Sequence, residues 1–203
     1  MIITNSNWDA FIKNNLSHYN KAIINGKGPT FKPIDNPIEN TLISCVNDCF
    51  HASNHTDLLV CNDIEFFERI DHSKLKTLKY LAVPNKIHKN ESFEHDASYL
   101  NVIEIIKKTF SGDLIVYNLS QHLKDNEFIS LQTCFSSCHT AADIISLIPN
   151  IKTVDIFGVG GKGYSKLIPT PKVKTLWNPN KARDGLDLIK ESLRYKVLNI
   201  YKS

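Results

Sequence analysis

The chain has 203 residues, 42% of them hydrophobic, with 24 Lys and Arg against 21 Asp and Glu and a net charge of +3. That length supports one well-buried core and is short for two, so a single domain over residues 1–203 is expected. The charge is mild and its lysines are scattered among acidic residues without a stripe, which gives no basis for nucleic-acid binding and suits a small anionic ligand.

The opening "MIITNSNWDAFIKNN" lacks the charged start and continuous apolar core of a signal peptide, and no apolar run approaches the roughly 20 residues that span a bilayer. A cytoplasmic protein is expected. Five cysteines, an odd number at low density, fit reduced thiols better than a disulfide framework.

In chain order, "SNWDAFIKNNLSHY" carries Trp8, Phe11, Ile12 and Leu16 at helical spacing behind a Ser6 or Asn7 cap, predicting an amphipathic entry helix. Short apolar runs follow at 21–24, 40–47, 57–62, 78–85, 113–119, 153–159 and 195–202, with flanking Gly, Pro, Asn or Asp. Their length and β-branched content predict strands. Helical patterns separate them at 64–70, 98–110, 136–148 and 182–195. Strands without polar interruptions alternating with helices predict an α/β, Rossmann-like domain: a mostly parallel sheet of about seven strands with helices on both faces. The segment 160–181, broken by Pro169, Pro171 and Pro179, reads as an irregular, lid-like stretch.

In such sheets ligands sit beyond the carboxyl ends of the strands, so the residues that end each strand are the candidates. The first strand runs into "NGKGPT", where Gly26 and Gly28 can take positive φ and admit a phosphate to the backbone while Lys27 supplies a cation. The same residues also suit a tight turn, and the spacing is not that of a Walker A loop. The next two strands end in "CVND" and "VCND", presenting Asn47 and Asn62, whose amides can read a base edge or a sugar hydroxyl without adding charge. "CFSSCHTAAD" puts Ser136, Ser137 and Cys138 at a helix start, which suits either a simple cap or an anion contact. "TVDIF" opens into "GVGGKGYSK", where Gly158 lets the chain pass close to a ligand and Tyr164 and Lys162 can face its phosphate; no helix follows at once, which argues against a dinucleotide fingerprint.

Taken in order, "IINGKGPTFKPID", "SCVND", "LLVCNDIEFFERI", "CFSSCHTAADIISLIPNIKTVDIFGV" and "DLIKESLRYKVLNIY" resemble the bacterial lipooligosaccharide sialyltransferases of glycosyltransferase family 42, from about Lys21 to Tyr201. The resemblance implies a CMP-sugar donor held by Gly26, Lys27, Gly28, Asn47, Asn62, Ser136, Ser137 and Cys138, with Tyr164 on the phosphate, and no metal or resident cofactor. It implies a nucleotide sugar and a glycan acceptor as partners, and is compatible with peripheral membrane association and with a homo-oligomer. The chain departs from the family pattern at Lys27, which stands where the family has Asn, and at Gly160, which replaces an acidic residue. It has no histidine after His139, although the family's general base is a histidine before the last helix, and its lid is short. Candidate bases are therefore Asp184, near that position, and His139, beside the serine motif. Cys45, Cys49, Cys134, Cys138 and His139 raise a zinc site, but two Cys-x-x-x-Cys pairs lack the usual knuckle spacing, so no metal is expected. Two alternatives stay open: a magnesium-dependent pyrophosphokinase of the pterin type using Asp48 and Asp63, and a nucleotide-binding module without catalysis.

Overall fold

The computed structural model describes residues 1–62, 66–67, 70–85, 106, 108–118, 126–131, 136–160, 163–168 and 179–201, with backbone alone for 179–184. Each of the seven apolar runs forms a strand: Lys21–Asn25 (β2), Thr41–Val46 (β3), Leu58–Val60 (β4), Tyr80–Pro84 (β5), Asp113–Asn118 (β6), Thr153–Phe157 (β8) and Val197–Ile200 (β9). Two two-residue strands, Ile2–Ile3 (β1) and Ile129–Ser130 (β7), bring the sheet to nine, slightly more than expected. Every described pairing is parallel. The order is β1-β6-β5-β4-β3-β2-β8-β9, and β7 continues along the edge of β6 that β1 begins, opposite Tyr117 and Asn118.

This is a Rossmann-like α/β arrangement. From β2 the strands step one way to β6, and from β8 they step the other way to β9, so the order reverses between β2 and β8. The right-handed crossover rule then assigns the connections before β2 and after β7 to one face and those after β3, β4 and β5 to the other.

The entry segment coils as a 3-10 turn (Asn5–Asn7), one α-helical turn (Trp8–Phe11, α1) and a π-helical turn (Ile12–Leu16). Asn7 caps it from within, its Oδ1 accepting from the Thr4 amide at 2.8 Å. Trp8, Phe11 and Leu16 are buried, and Phe11 meets Tyr80 of β5 edge-on at 5.6 Å. Two further single turns, Cys49–Ala52 (α2) and His72–Leu75 (α3), follow β3 and β4. The helix expected at 136–148 is Ser137–Ser146 (α4) and that at 182–195 is Pro179–Ser192 (α5), with Pro179 in the first helical position, where its missing N–H costs nothing. The helix read at 98–110 and most of that at 64–70 lie outside the described residues, as does most of the lid-like segment.

Helix α4 packs on β2, β3 and β4 and against α5. Its Ala141, Ala142, Ile144 and Ile145 are fully buried, the two alanines letting the helix close on the sheet. The main core lies here, joined by Ile189 and Leu193 of the α5 region, while Ile23, Ile34, Ile43 and Phe157 form a smaller cluster on the other parity of β2, β3 and β8. Among the described residues no helix is long and apolar enough to cross a membrane.

Candidate functional site

The strand reversal makes the carboxyl ends of β2 and β8 the place where two loops diverge, which is the ligand crevice of open α/β sheets. In this chain the two loops are stitched together at their base. The Gly26 amide donates to the Phe157 carbonyl at 2.8 Å and the Gly28 amide to the Gly158 carbonyl at 2.7 Å. Thr30 Oγ1 accepts from the Gly158 amide at 2.8 Å, and the Ser165 amide donates to the Lys27 carbonyl at 2.8 Å.

This corrects the reading of the "NGKGPT" glycines. Neither Gly26 nor Gly28 has positive φ; that conformation falls on Gly158 (φ 63°), Gly160 (φ 77°) and Gly163 (φ 84°). A Cβ on Gly26 would lie 2.4 Å from the Gly158 carbonyl oxygen and 2.9 Å from Cys138 Sγ, and one on Gly28 would lie 2.8 Å from the same oxygen. The glycines serve backbone-to-backbone approach, and their amides are engaged within the fold.

What remains to meet a ligand stands above this base. Lys27 Nζ lies 3.6 Å from Asp48 Oδ2 and 5.2 Å from the centre of the Tyr164 ring. Asp48 is buried at 3% exposure directly after β3, whereas Lys27, Tyr164 and Gly160 are partly exposed. Asn47, beside Asp48, takes a left-handed conformation (φ 46°) that asparagine tolerates better than most residues, and its Oδ1 accepts from Ser137 Oγ at 3.3 Å. That bond ties the end of β3 to the first turn of α4. Ser136 caps α4, its Oγ accepting from the His139 amide at 3.2 Å, and Cys138 turns toward Gly26. Burial pushes the Cys138 thiol up to about 12 against the opposing pull of Lys27, so it is not a thiolate at neutral pH. The Cys49 thiol is raised by burial as well.

Gly26, Lys27, Gly28, Asn47, Ser136, Ser137, Cys138, Gly158 and Tyr164 thus converge on one crevice. Asn62 ends β4 nearby but points inward: its Nδ2 donates to Thr140 Oγ1 at 3.1 Å and its Oδ1 accepts from the buried Tyr117 hydroxyl. His139 also turns inward. It is 2% exposed, and its Nε2 contacts Ser192 Oγ of α5 at 3.0 Å and lies 3.6 Å from Asp143 Oδ1. Burial holds its pKa below the ordinary value, although Asp143 and Glu191 pull the other way. The Asp184 side chain, Lys162, Cys134 and Asp63 lie outside the described residues.

Asp48 and Thr30 belong to the crevice although the strand-end reading gave the first only to the alternative chemistry and did not select the second. The "ND" pair closing both "CVND" and "VCND" was the available signal for Asp48; nothing local marks Thr30 as a partner of Gly158. Chemically, an ammonium, a phenol hydroxyl and the first turn of a ten-residue helix favour an anion, while the buried carboxylate of Asp48 can hold Lys27 in place or accept from a ligand hydroxyl. Among the described residues no group of three or more His, Cys, Asp or Glu is gathered as for a metal ion.

Fold and site together define a Rossmann-like α/β protein with a polar crevice, lined by Lys27 and Asp48, at the reversal of strand order. Comparison with protein-family models, with curated proteins and with solved structures gives no match for the chain.

Proposed function

We propose that the protein binds a nucleotide sugar in the crevice between β2 and β8 and transfers the sugar to a hydroxyl acceptor, with a CMP-sugar, sialyl donors included, as the first candidate. The observation that carries this reading is the position of Lys27 and Tyr164 above the strand reversal, with the start of α4 beside them. The order of the strand-end motifs, which resembles the family 42 sialyltransferases, supports the choice of donor.

In this reading the Lys27 ammonium and the Tyr164 hydroxyl neutralise the leaving phosphate, a role in which charge-assisted hydrogen bonds of about 1.5–3 kcal/mol replace a metal. Asn47 braces the first turn of α4 through Ser137. Asn62 acts as a strut between β4, β6 and α4 and leaves ligand contact to its neighbours. His139 is enclosed between α4 and α5, so acceptor deprotonation falls to Asp184 on α5 or to the acceptor's own surroundings.

The test is release of CMP from CMP-sialic acid, with and without a galactoside acceptor. Saturable release that drops in Lys27→Ala supports the proposal; no release from any CMP-sugar refutes it. Asp48, a buried carboxylate beside the crevice lysine, favours one second reading, pyrophosphoryl transfer from ATP with magnesium, which would appear as AMP formation.

A further inference from the structure

The sheet face opposite α4 carries an aromatic stack at the carboxyl ends of β8 and β9. Tyr201 follows β9, and its amide donates to the Ile156 carbonyl at 3.0 Å, which continues the β8–β9 register and sets it opposite Phe157. The two rings stack with 4.1 Å between centres and 13° between planes. Lys32 Nζ lies over the same Phe157 ring, 5.5 Å from its centre. An ammonium and a ring stacked this closely do not fit on one face, so Lys32 and Tyr201 take opposite faces and leave Phe157 only 7% exposed.

Phe157 has no face left for a ligand, but Tyr201 does. It is 44% exposed although Phe157 covers one side of its ring, so the exposed area lies on the outer side and the edge. Its backbone is held at both ends. Besides the amide bond to β8, its carbonyl accepts from Thr30 Oγ1 at 3.0 Å, and that same oxygen accepts from the Gly158 amide at 2.8 Å. Thr30 thereby ties Tyr201 to the wall of the β2–β8 crevice. The strand register supplies the spacing: Asn25 stands opposite Phe157 and Phe157 opposite Tyr201, so two strand spacings, about 10 Å, separate the backbones of Asn25 and Tyr201, and Lys27 is two residues past Asn25.

We infer that Tyr201 is the nucleobase subsite of the crevice: a nucleotide whose phosphate meets Lys27 and Tyr164 lays its base flat on the outer face of the Tyr201 ring. The inference rests on the nucleotide reading given above and adds to it the residue that holds the base. A phosphate on the Lys27 ammonium, followed by a ribose, spans a gap of this order and brings a planar base to its far end. The ring is already fixed by Phe157 and by the backbone bonds to β8 and Thr30, so little freedom is lost when a base stacks on it. Stacking is tolerant of base identity, so this subsite adds affinity for any nucleotide and leaves the choice among bases to hydrogen bonds.

Calorimetric titration of the full chain with CMP and with ribose 5-phosphate, which lacks the base, tests the inference in the native protein, Tyr201→Leu and Tyr201→Phe. In the native protein CMP should bind about 5- to 150-fold tighter than ribose 5-phosphate, the range that stacking of one base on an aromatic ring spans. Tyr201→Leu, which still covers Phe157, should lose that advantage and bind ribose 5-phosphate as before, whereas Tyr201→Phe keeps the ring and should keep the advantage. Nuclear Overhauser contacts between the cytosine ring protons of bound CMP and the Tyr201 ring give the same answer on the native chain should Tyr201→Leu fail to fold. CMP binding no tighter than ribose 5-phosphate, an undiminished advantage in a folded Tyr201→Leu protein, or absence of those contacts overturns the base subsite while the phosphate site stands. Failure of both ligands to bind the native chain overturns the nucleotide reading and the subsite together.

Discussion

Replacing Gly158 by alanine should damage this protein far more than the same change at Gly163, although both glycines have positive φ. The backbone penalty common to both is about 1–2 kcal/mol for an L-residue in the left-handed region. At Gly163 that is all, since a Cβ there meets nothing within 4 Å. At Gly158 the added Cβ would lie 1.9 Å from the Gly26 carbonyl oxygen, far inside the hard-sphere limit. The loops must then part, loosening the Gly26-to-Phe157 and Gly28-to-Gly158 hydrogen bonds, each worth about 0.5–1.5 kcal/mol net. The sum is about 2–5 kcal/mol for Gly158→Ala against about 1–2 kcal/mol for Gly163→Ala. With a urea m-value of about 2–3 kcal/mol/M, the midpoint should fall by roughly 1–2 M in the first case and by roughly 0.5 M in the second. Equal midpoint shifts in the two variants would refute the claim that the two loops are held by direct backbone contact.

Tyr117→Phe removes the hydroxyl that donates to Asn62, and should cost about 1–3 kcal/mol in urea unfolding while leaving nucleotide affinity unchanged; a loss of affinity at unchanged stability would make Asn62 a ligand contact. Stability should also fall on acidification. Burial lowers the His139 pKa below the unfolded value of about 6.5, so as pH drops below that value the unfolded chain takes up a proton that the native state resists until its own lower pKa is reached. His139 thus contributes stability that is present above about pH 6.5 and is lost through that window, with a slope of at most about 1.4 kcal/mol per pH unit. His139→Gln should flatten unfolding free energy against pH in the window; an unchanged slope would show that the histidine does not carry it.

The sequence was most informative where burial is two-sided. The six runs that form β2 to β6 and β8 are apolar because both of their faces are covered, whereas β9, at the sheet's edge, stays partly exposed, and the boundaries of all seven shift by at most two residues in the structure. Strands β1 and β7 are two residues each, too short for any period to show, and exist because the edge of β6 offers them register partners. The site was legible as a set of strand ends but not in its internal geometry, because partners such as Gly158 for Gly26 and Thr30 for Gly158 lie more than a hundred residues apart. His139 shows the same limit at short range. One residue along a helix turns a side chain by about 100°, so Cys138 meets the β2 loop while His139 faces α5. Proximity to the serine motif in sequence therefore did not bring His139 to the crevice.

The central claim is that the reversal between β2 and β8 is a nucleotide site organised around Lys27. Thermal unfolding with CMP, UMP, AMP, GMP and magnesium ATP, for the native chain and for Lys27→Ala, tests it most directly. A ligand at about 100 times its dissociation constant adds about 2.7 kcal/mol, which for a chain of this size raises Tm by roughly 5–10 °C. The account predicts such a rise with CMP above the other nucleotides, and its reduction in Lys27→Ala measured against that variant's own baseline. No rise with any nucleotide, or an equal rise in Lys27→Ala, would contradict it.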